Sequence, residues 1–313
     1  MSQPQAGILP EPSPNALFLV LRVRDPAQSG VAVAQAASRV PSQSQKLARR
    51  DPRARLASVV SFGPELWDVV SPGRRPRGFR RFRAIEAHGR RAPDTGGDLL
   101  VHILSRRRDL CLELAMQIRK ELGDRVEVME EVHGFRYLDS RDLTGFIDGT
   151  ENPKGKKRAA VALIGEEDRA FAGGSFVSTQ RYVHDLEAWE KLPVKEQERV
   201  IGRRKRDSRE LSGRSKLATA HISRVVIEED GEELEIVRHS FPYGTTSERG
   251  LFFIAYDKQL DTFEKMLSRM MGTSGDGLHD VLMDFTRAVS GATFFAPSLR
   301  VLRSLASATR CSV

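Results

Sequence analysis

Short apolar runs and amphipathic helical stripes alternate along this chain. In the N-terminal half, Asn15–Val23 and Asp98–Leu104 are apolar runs bounded by turn-forming residues, which predicts two buried strands. Apolar residues then recur at helical spacing from Cys111 to Leu122, and Gly123 stands where it can end a helix. This half therefore predicts strands that pack against an amphipathic helix.

The C-terminal half repeats the pattern. The runs His221–Ile227 and Gly250–Tyr256 each predict a strand, and an apolar stripe over Leu260–Met271 predicts a helix. Two copies of one strand-and-helix block predict an α+β fold of duplicated ferredoxin-like halves, with antiparallel sheets and flanking helices.

The same patterns set the expected boundaries. Residues 15–150 are predicted to form the N-terminal half, and residues 151–305 the C-terminal half, with a charged insertion at 185–216. The polar, proline-rich segment 1–14 is expected to be flexible, and 306–313 to be a short tail. A chain of 313 residues is long enough for two such units.

A turn signal in the second half predicts a hairpin. Asp230-Gly231 lies between the apolar run that starts at His221 and a second run that ends at Arg238. Symmetric pairing about this turn sets residue 221 roughly opposite residue 240. We therefore expect His221, Arg238 and Ser240 to converge at one end of the hairpin.

Charge and cysteine content narrow the classes of function. The formal net charge is +8, with arginines crowded into 74–91 and 199–216. Neither cluster carries a helix-turn-helix, zinc-finger or RNP pattern, so a solvated basic face is favoured over a specific nucleic-acid site. Anionic substrates and nonspecific polyanion adhesion stay open. The only two cysteines, Cys111 in an apolar helical stripe and Cys311 in the tail, cannot form a disulfide framework.

The N-terminal residues show no signal-peptide pattern, and the longest apolar run is too short to cross a bilayer. With so few cysteines, these observations predict a cytoplasmic protein in a reducing compartment, with no membrane partner.

The run from Gly145 to Pro153 places one acid, Asp148, between two glycines. Glycine lacks Cβ, so the flanking backbone can bend sharply and approach a flat ligand closely. The run resembles the Gly-x-x-Asp-Gly signature of the dye-decolorizing peroxidases, which are haem enzymes. The continuation Thr-Glu-Asn-Pro is similar to their bacterial B-type, or P-class, members.

Three further segments carry the same resemblance. Ala220-His221-Ile222 is similar to the start of the family's proximal-histidine segment, and Arg238 to Gly244 is similar to its Arg-x-x-x-Pro-Tyr-Gly element. Ile201 to Lys205 resembles its Ile-Gly-Arg-x-Lys element. The resemblance implies one haem b per chain in the C-terminal half, with His221 as axial iron ligand. His239 and His184 are the fallback ligands.

The resemblance also implies catalytic roles. Arg238 and Asp148 would act on hydrogen peroxide on the other face of the haem, with Arg238 the more important of the two, and Ser240 would hold a water. Departing hydroxide develops negative charge that a guanidinium stabilises, and a carboxylate can shuttle the proton. We therefore expect catalytic roles for these three residues.

Other residues would contact the cofactor itself. The resemblance implies haem-edge contacts from Gly149, Thr150 and Glu151, and Arg203 facing a propionate is a further possibility. A carboxylate on the second ring nitrogen of the axial histidine fixes its tautomer. A helix predicted over 278–290 offers Asp284, which resembles the family's proximal acid more closely, and Asp280 as the alternative.

The sequence thus predicts a haem peroxidase that oxidises small organic donors in one-electron steps. Phenols, anthraquinone and azo dyes and Mn(II) are the expected donors by resemblance, with Tyr243, Tyr256 and Trp189 as candidates for relaying electrons. A haem-handling protein, which binds porphyrin for storage or iron release, is the alternative, and a basic nucleic-acid module is a third. A homo-oligomer is expected, and no encapsulin-targeting extension is evident.

Overall fold

The computed structural model describes residues 2–307. Its helices are α1 (Pro26–Ala37), α2 (Val40–Ala48), α3 (Pro64–Val70), α4 (Arg108–Leu122), α5 (Lys157–Ala162), α6 (Leu186–Glu190), α7 (Val194–Ile201), α8 (His221–Val225), α9 (Asp261–Met271) and α10 (Leu299–Ala306). Its strands are β1 (Asn15–Val23), β2 (Ala57–Phe62), β3 (Ile85–Ala87), β4 (Arg90–Ala92), β5 (Leu99–Ser105), β6 (Val126–Phe135), β7 (Ser175–His184), β8 (Glu228–Glu229), β9 (Glu232–Glu233), β10 (Val237–Arg238), β11 (Phe241–Gly244), β12 (Arg249–Asp257) and β13 (Thr286–Ala296).

One antiparallel sheet runs through both halves in the order β10-β12-β7-β13-β2-β5-β1-β6, with β11 paired to β12. In the N-terminal half, β1, β2, β5 and β6 follow one another along the chain and take the spatial order fourth, first, third, second. The C-terminal strands β7, β10, β12 and β13 take the same order, read in the same direction along the sheet. The predicted duplication of ferredoxin-like halves is confirmed.

The halves are joined at one narrow seam, where β13 pairs with β2 only at Phe295 and Phe62. The sheet curls so that its two halves also meet face to face, since Phe18 on β1 stacks on Phe252 of β12 with 4.1 Å between ring centroids. His102 on β5 bonds to the Tyr256 hydroxyl across this inner core at 2.9 Å. Helices therefore pack on the outer faces.

The outer face of the N-terminal half is a closed hydrophobic core. α1, α2, α3 and α4 cover it with buried residues that include Val33, Leu47, Trp67 and Leu114. Cys111 belongs to this core, as predicted, and burial raises the pKa of its thiol to about 12. Cys311 and most of the predicted tail lie outside the described residues.

The N-terminal segment differs from expectation. Gln5 is buried, and its side-chain amide donates to the carbonyls of Val60 at 2.8 Å and Pro297 at 2.9 Å. Ile8 is buried as well. The segment is fixed on the seam between the halves, so the expectation that all of residues 1–14 are flexible is wrong.

Two predicted elements have another conformation. Residues 221–225 form helix α8 instead of a strand. Ile222 and Arg224 are buried, and this alternation suggested a strand, but a single helical turn can bury alternate positions as well. The turn at Asp230-Gly231 exists, but it joins only the two-residue strands β8 and β9.

The predicted helix at 278–290 is also wrong. The Asp280 side chain accepts a hydrogen bond from the Leu282 amide and caps one short 3₁₀ turn over Val281–Asp284, after which β13 begins. Among the described residues, no helix is long and apolar enough to cross a membrane.

Candidate active site

A pocket opens on the outer face of the C-terminal half, between the sheet, α8 and α9. It encloses about 1400 Å³ of space, its open mouth included. Most of its walls are apolar, with Phe146, Ile222, Ile236, Phe253 and Met266 among the lining residues. Polar groups converge from two directions, and this combination is typical of a small-molecule or cofactor site.

The glycine-rich motif forms one side of the pocket. Gly145 and Gly149 have positive φ angles of 88° and 77°, a conformation that other L-residues rarely adopt. Between them the Asp148 amide donates to the Ser140 carbonyl at 2.9 Å, and its carboxylate accepts from the Gly149 amide at 2.7 Å. The turn therefore fixes the Asp148 carboxylate at the pocket wall.

Arg238 on β10 stands beside this carboxylate, with Nη1 3.2 Å from Oδ1 of Asp148. Asn152 locks the two segments together. Its side-chain oxygen accepts from the Arg238 amide at 2.8 Å, and its nitrogen donates to the Arg238 carbonyl at 2.9 Å. Sequence reasoning missed Asn152, although it belongs to the motif; the signal was an amide side chain just ahead of a proline.

His221, at the start of α8, lines another wall of the pocket. Its Nδ1 is 2.6 Å from Oδ2 of Asp280, a residue with no exposed surface. A carboxylate at this distance makes Nδ1 the protonated nitrogen. Nε2 is then the ring nitrogen that can bind a metal in the pocket.

The preference for Asp284 as the partner of this histidine is wrong. Asp284 is half exposed and bonds to His279 Nε2 at 3.1 Å. The capped turn after Asp280 separates the two acids, which do not share a helix face.

The two fallback histidines are engaged elsewhere. His239 points to the inner core, where its Nε2 donates to the Ile8 carbonyl at 2.9 Å and burial lowers its pKa to about 4. His184 lines the pocket, but its ring nitrogens bond to Thr286 Oγ1 at 2.8 Å and Asp142 Oδ1 at 3.3 Å. His221 is therefore the histidine best placed to bind a metal.

The His184–Asp142 pair lies next to the glycine-rich motif, since the Asp142 backbone bonds to Gly145 and Phe146. Burial by itself would raise the pKa of Asp142, but His184 and the Thr144 hydroxyl and amide lower it to about 2. Trp189 donates to the Thr144 carbonyl at 3.0 Å in the same cluster. Trp189, Tyr243 and Tyr256 are all buried, so none of them offers an exposed electron-entry point.

Ser240 does not join the catalytic pair. Its hydroxyl accepts from the Ile254 amide at 3.4 Å, and it is absent from the pocket lining. The strand breaks between Arg238 and Phe241, so the alternation expected of a continuous hairpin strand fails at this point. The expected role of Ser240 in holding a water stays a prediction.

Gly149, Thr150, Glu151 and Arg203 line the pocket, with Thr150 and Glu151 exposed at its rim, and their contacts with haem stay a prediction. Arg203 bonds to the Glu151 carboxylate and donates to the Ser208 carbonyl at 2.7 Å. Glu210 lies 3.4 Å from the same guanidinium, so two carboxylates balance the charge of Arg203, and an acidic substituent of a ligand would compete with them for it.

The donor set fits haem. An imidazole held by a buried carboxylate suits iron, a guanidinium beside a carboxylate suits peroxide, and the apolar walls suit a porphyrin.

Comparison with known proteins identifies the family. The N-terminal domain model of the Dyp-type peroxidases matches residues 5–136, and the C-terminal domain model matches residues 139–301. The chain belongs to the Dyp-type peroxidase family. The two models meet about a dozen residues before the boundary predicted at residue 150.

Relatives and solved structures agree. A dye-decolorizing peroxidase of Mycolicibacterium paratuberculosis is 44% identical over 96% of this chain and 85% of its own length. One from Mycobacterium tuberculosis is 43% identical over 94% of this chain and 88% of its own length. The structure of a Rhodococcus jostii RHA1 DypB variant in complex with haem superposes with a TM-score of 0.93, at 42% identity, and covers 96% of this chain and 98% of that one.

These findings confirm the predicted family, fold class and peroxidase activity. They favour a peroxidase over the haem-handling protein that the sequence left as an alternative.

Proposed function

We propose that the chain binds one haem b in this pocket and uses His221, Arg238 and Asp148 to reduce hydrogen peroxide. The observation that carries the proposal is the pocket itself. It brings a carboxylate-bound histidine and an Arg–Asp pair together from segments far apart in the chain.

His221 would hold the iron through Nε2, and Asp280 would fix the ring and increase its basicity. Bound haem would supply the redox chemistry, giving two electrons to hydrogen peroxide and recovering them one at a time from donor molecules. Arg203 would bind an acidic substituent at the rim.

On the other side of the pocket, the Asp148 carboxylate can accept the proton that hydrogen peroxide loses and return it to the departing oxygen. The Arg238 guanidinium stabilises the negative charge that develops on that oxygen, which leaves as water. The 3.2 Å contact between Asp148 and Arg238 keeps both groups ready for this step.

The test is the Arg238→Leu variant. Loss of a fixed charge-stabilising donor predicts a fall of about 10²- to 10³-fold in the rate at which peroxide changes the Soret band of the haem-loaded protein. Arg287→Leu, which removes an exposed arginine on β13, is the matched control and should react at the wild-type rate. An Arg238→Leu protein that reacts as fast as wild type would contradict the proposed role.

Phenols and anthraquinone or azo dyes are the donors that we propose. The basic balance of the chain, +8, supports binding of anionic dyes. The homo-oligomer, the cytoplasmic location and the use of Mn(II) stay predictions.

A further inference from the structure

Asp280 is supplied by a segment that has no regular secondary structure. Residues 272–280 connect α9 to the 3₁₀ turn, and Gly272, Gly275 and Gly277 all have positive φ angles, of 81°, 88° and 72°. Glycines give such a segment wide conformational freedom in the unfolded chain. Its native path therefore depends on the contacts that it makes.

His221 also lies on an element that is not stable by itself. Helix α8 has five residues, too few to be stable without tertiary contacts. Arg269 of α9 binds its C-terminal end by donating to the carbonyls of Ser223 and Val226, each at 2.9 Å. Backbone bonds fix the two ends of the glycine-rich segment, from Thr273 to Ser268 at its start and from Asp280 to Met270 and Val281 to Thr219 at its end. Its middle depends on side-chain contacts.

Arg224 links these two elements. It lies one helical turn after His221, is 2% exposed, and makes five hydrogen bonds with its three guanidinium nitrogens. Two of them form a bidentate pair with the Asp276 carboxylate, at 2.7 and 3.1 Å. The others go to the Ser274 hydroxyl and to the Leu278 and Arg269 carbonyls, each at 3.2 Å.

We propose that Arg224 is a positioning residue that keeps His221 and Asp280 at bonding distance by holding α8 against the glycine-rich segment. The inference rests on the proposed role of His221 as axial ligand. Asp276 neutralises the guanidinium at close range, so Arg224 acts through geometry and not through its net charge. A planar fork of donors suits this task, and the single ammonium group of lysine can replace it only in part.

The experiment compares the haem-loaded wild type with Arg224→Gln, Arg224→Lys and Asp276→Asn. The iron–histidine stretching frequency of the ferrous protein reports the strength of the histidine–carboxylate bond, and haem transfer to an acceptor protein reports retention. Arg224→Gln should lower the frequency and speed haem loss about tenfold, in the range that losing an outer-shell partner causes. The other two variants should lie between it and wild type.

Arg80→Gln is the matched control. Arg80 pairs with Asp261 and Glu264 in the first turn of α9, whereas the glycine-rich segment follows the last turn. It should lower stability while leaving the stretching frequency unchanged. A wild-type frequency and haem-loss rate in Arg224→Gln would overturn the proposal. If that variant does not fold, the same result in Asp276→Asn, which alters a half-exposed side chain, would overturn it.

His221→Ala separates this inference from the proposed function. If the iron–histidine band persists in His221→Ala, the ligand assignment itself is wrong. If that band disappears there but is unaffected in the Arg224 and Asp276 variants, only the positioning role is wrong.

Discussion

The two halves share one strand order but use their outer faces differently. In the N-terminal half, the connection from β1 to β2 forms α1 and α2, which pack directly on the sheet and close a hydrophobic core. In the C-terminal half, the equivalent connection from β7 to β10 forms three short helices, and α8 stands off the sheet with a pocket beneath it. A duplicated fold thus gains a site where its longest connection fails to fill the space.

The largest expected effect is a loss of haem affinity from a change in the pocket of the C-terminal half. His221→Ala should retain the fold, because the side chain lies at a pocket wall, but should lower haem affinity by about a hundredfold, the upper end of what losing only an outer-shell partner costs. Haem titration and thermal unfolding of the haem-free protein measure the two properties.

Leu114→Ala on α4 is the counterpart in the N-terminal half. Cavity formation in a closed core should cost about 2–5 kcal/mol of unfolding free energy, with unchanged haem affinity in the folded protein. If Leu114→Ala weakened haem binding as much as His221→Ala does, the division of labour between the halves would be refuted.

A smaller effect concerns pH and the inner core shared by both halves. Burial lowers the pKa of His239 from its ordinary 6.5 to about 4, so the unfolded chain binds a proton more readily. The stabilising effect of the neutral ring is complete above pH 6.5 and is lost as pH falls toward 4. The shift corresponds to about 3 kcal/mol at most.

His239→Gln keeps a donor for the Ile8 carbonyl but cannot titrate, so its unfolding free energy should fall less steeply with acidification than that of wild type. Denaturant unfolding at a series of pH values measures the difference. His88→Asn, at an exposed turn, should keep the wild-type slope. Parallel slopes for wild type and His239→Gln would show that His239 is not the acid-sensitive group.

The smallest effect concerns the surface. With a charge of +8, turnover of sulfonated dyes should fall a few-fold between low and high salt, since screening shortens the reach of surface charges. Turnover of a neutral phenol serves as the control and should change little. Equal salt dependence for both donors would rule out electrostatic attraction to the basic surface.

Sequence patterns predicted the fold and the main chemical groups, because both depend on residue types that repeat or stand out. His221, Arg238 and Asp148 line one pocket, as the motifs indicated. The predicted strand at His221 was wrong because one helical turn and a short strand can bury the same alternate positions.

The partner of His221 could not be chosen from spacing alone. One short turn separates Asp280 from Asp284 and decides which of them faces His221. That turn is fixed by the hydrogen bond that the Asp280 side chain accepts from the Leu282 amide. The orientation of Ser240 has a similar dependence, since the strand is interrupted between Arg238 and Phe241. Tertiary contacts decide such cases, and no periodicity records them.

Asn152 has a consequence for redesign of the site. Because one side-chain amide bonds to both the amide and the carbonyl of Arg238, the glycine-rich turn and β10 are coupled as though they were neighbouring strands. The segments that carry the Asp148 carboxylate and the Arg238 guanidinium are therefore held in a fixed relative position. An insertion placed after Pro153 would leave the spacing of the pair unchanged, whereas one placed between Asp148 and Asn152 would move the carboxylate relative to the guanidinium.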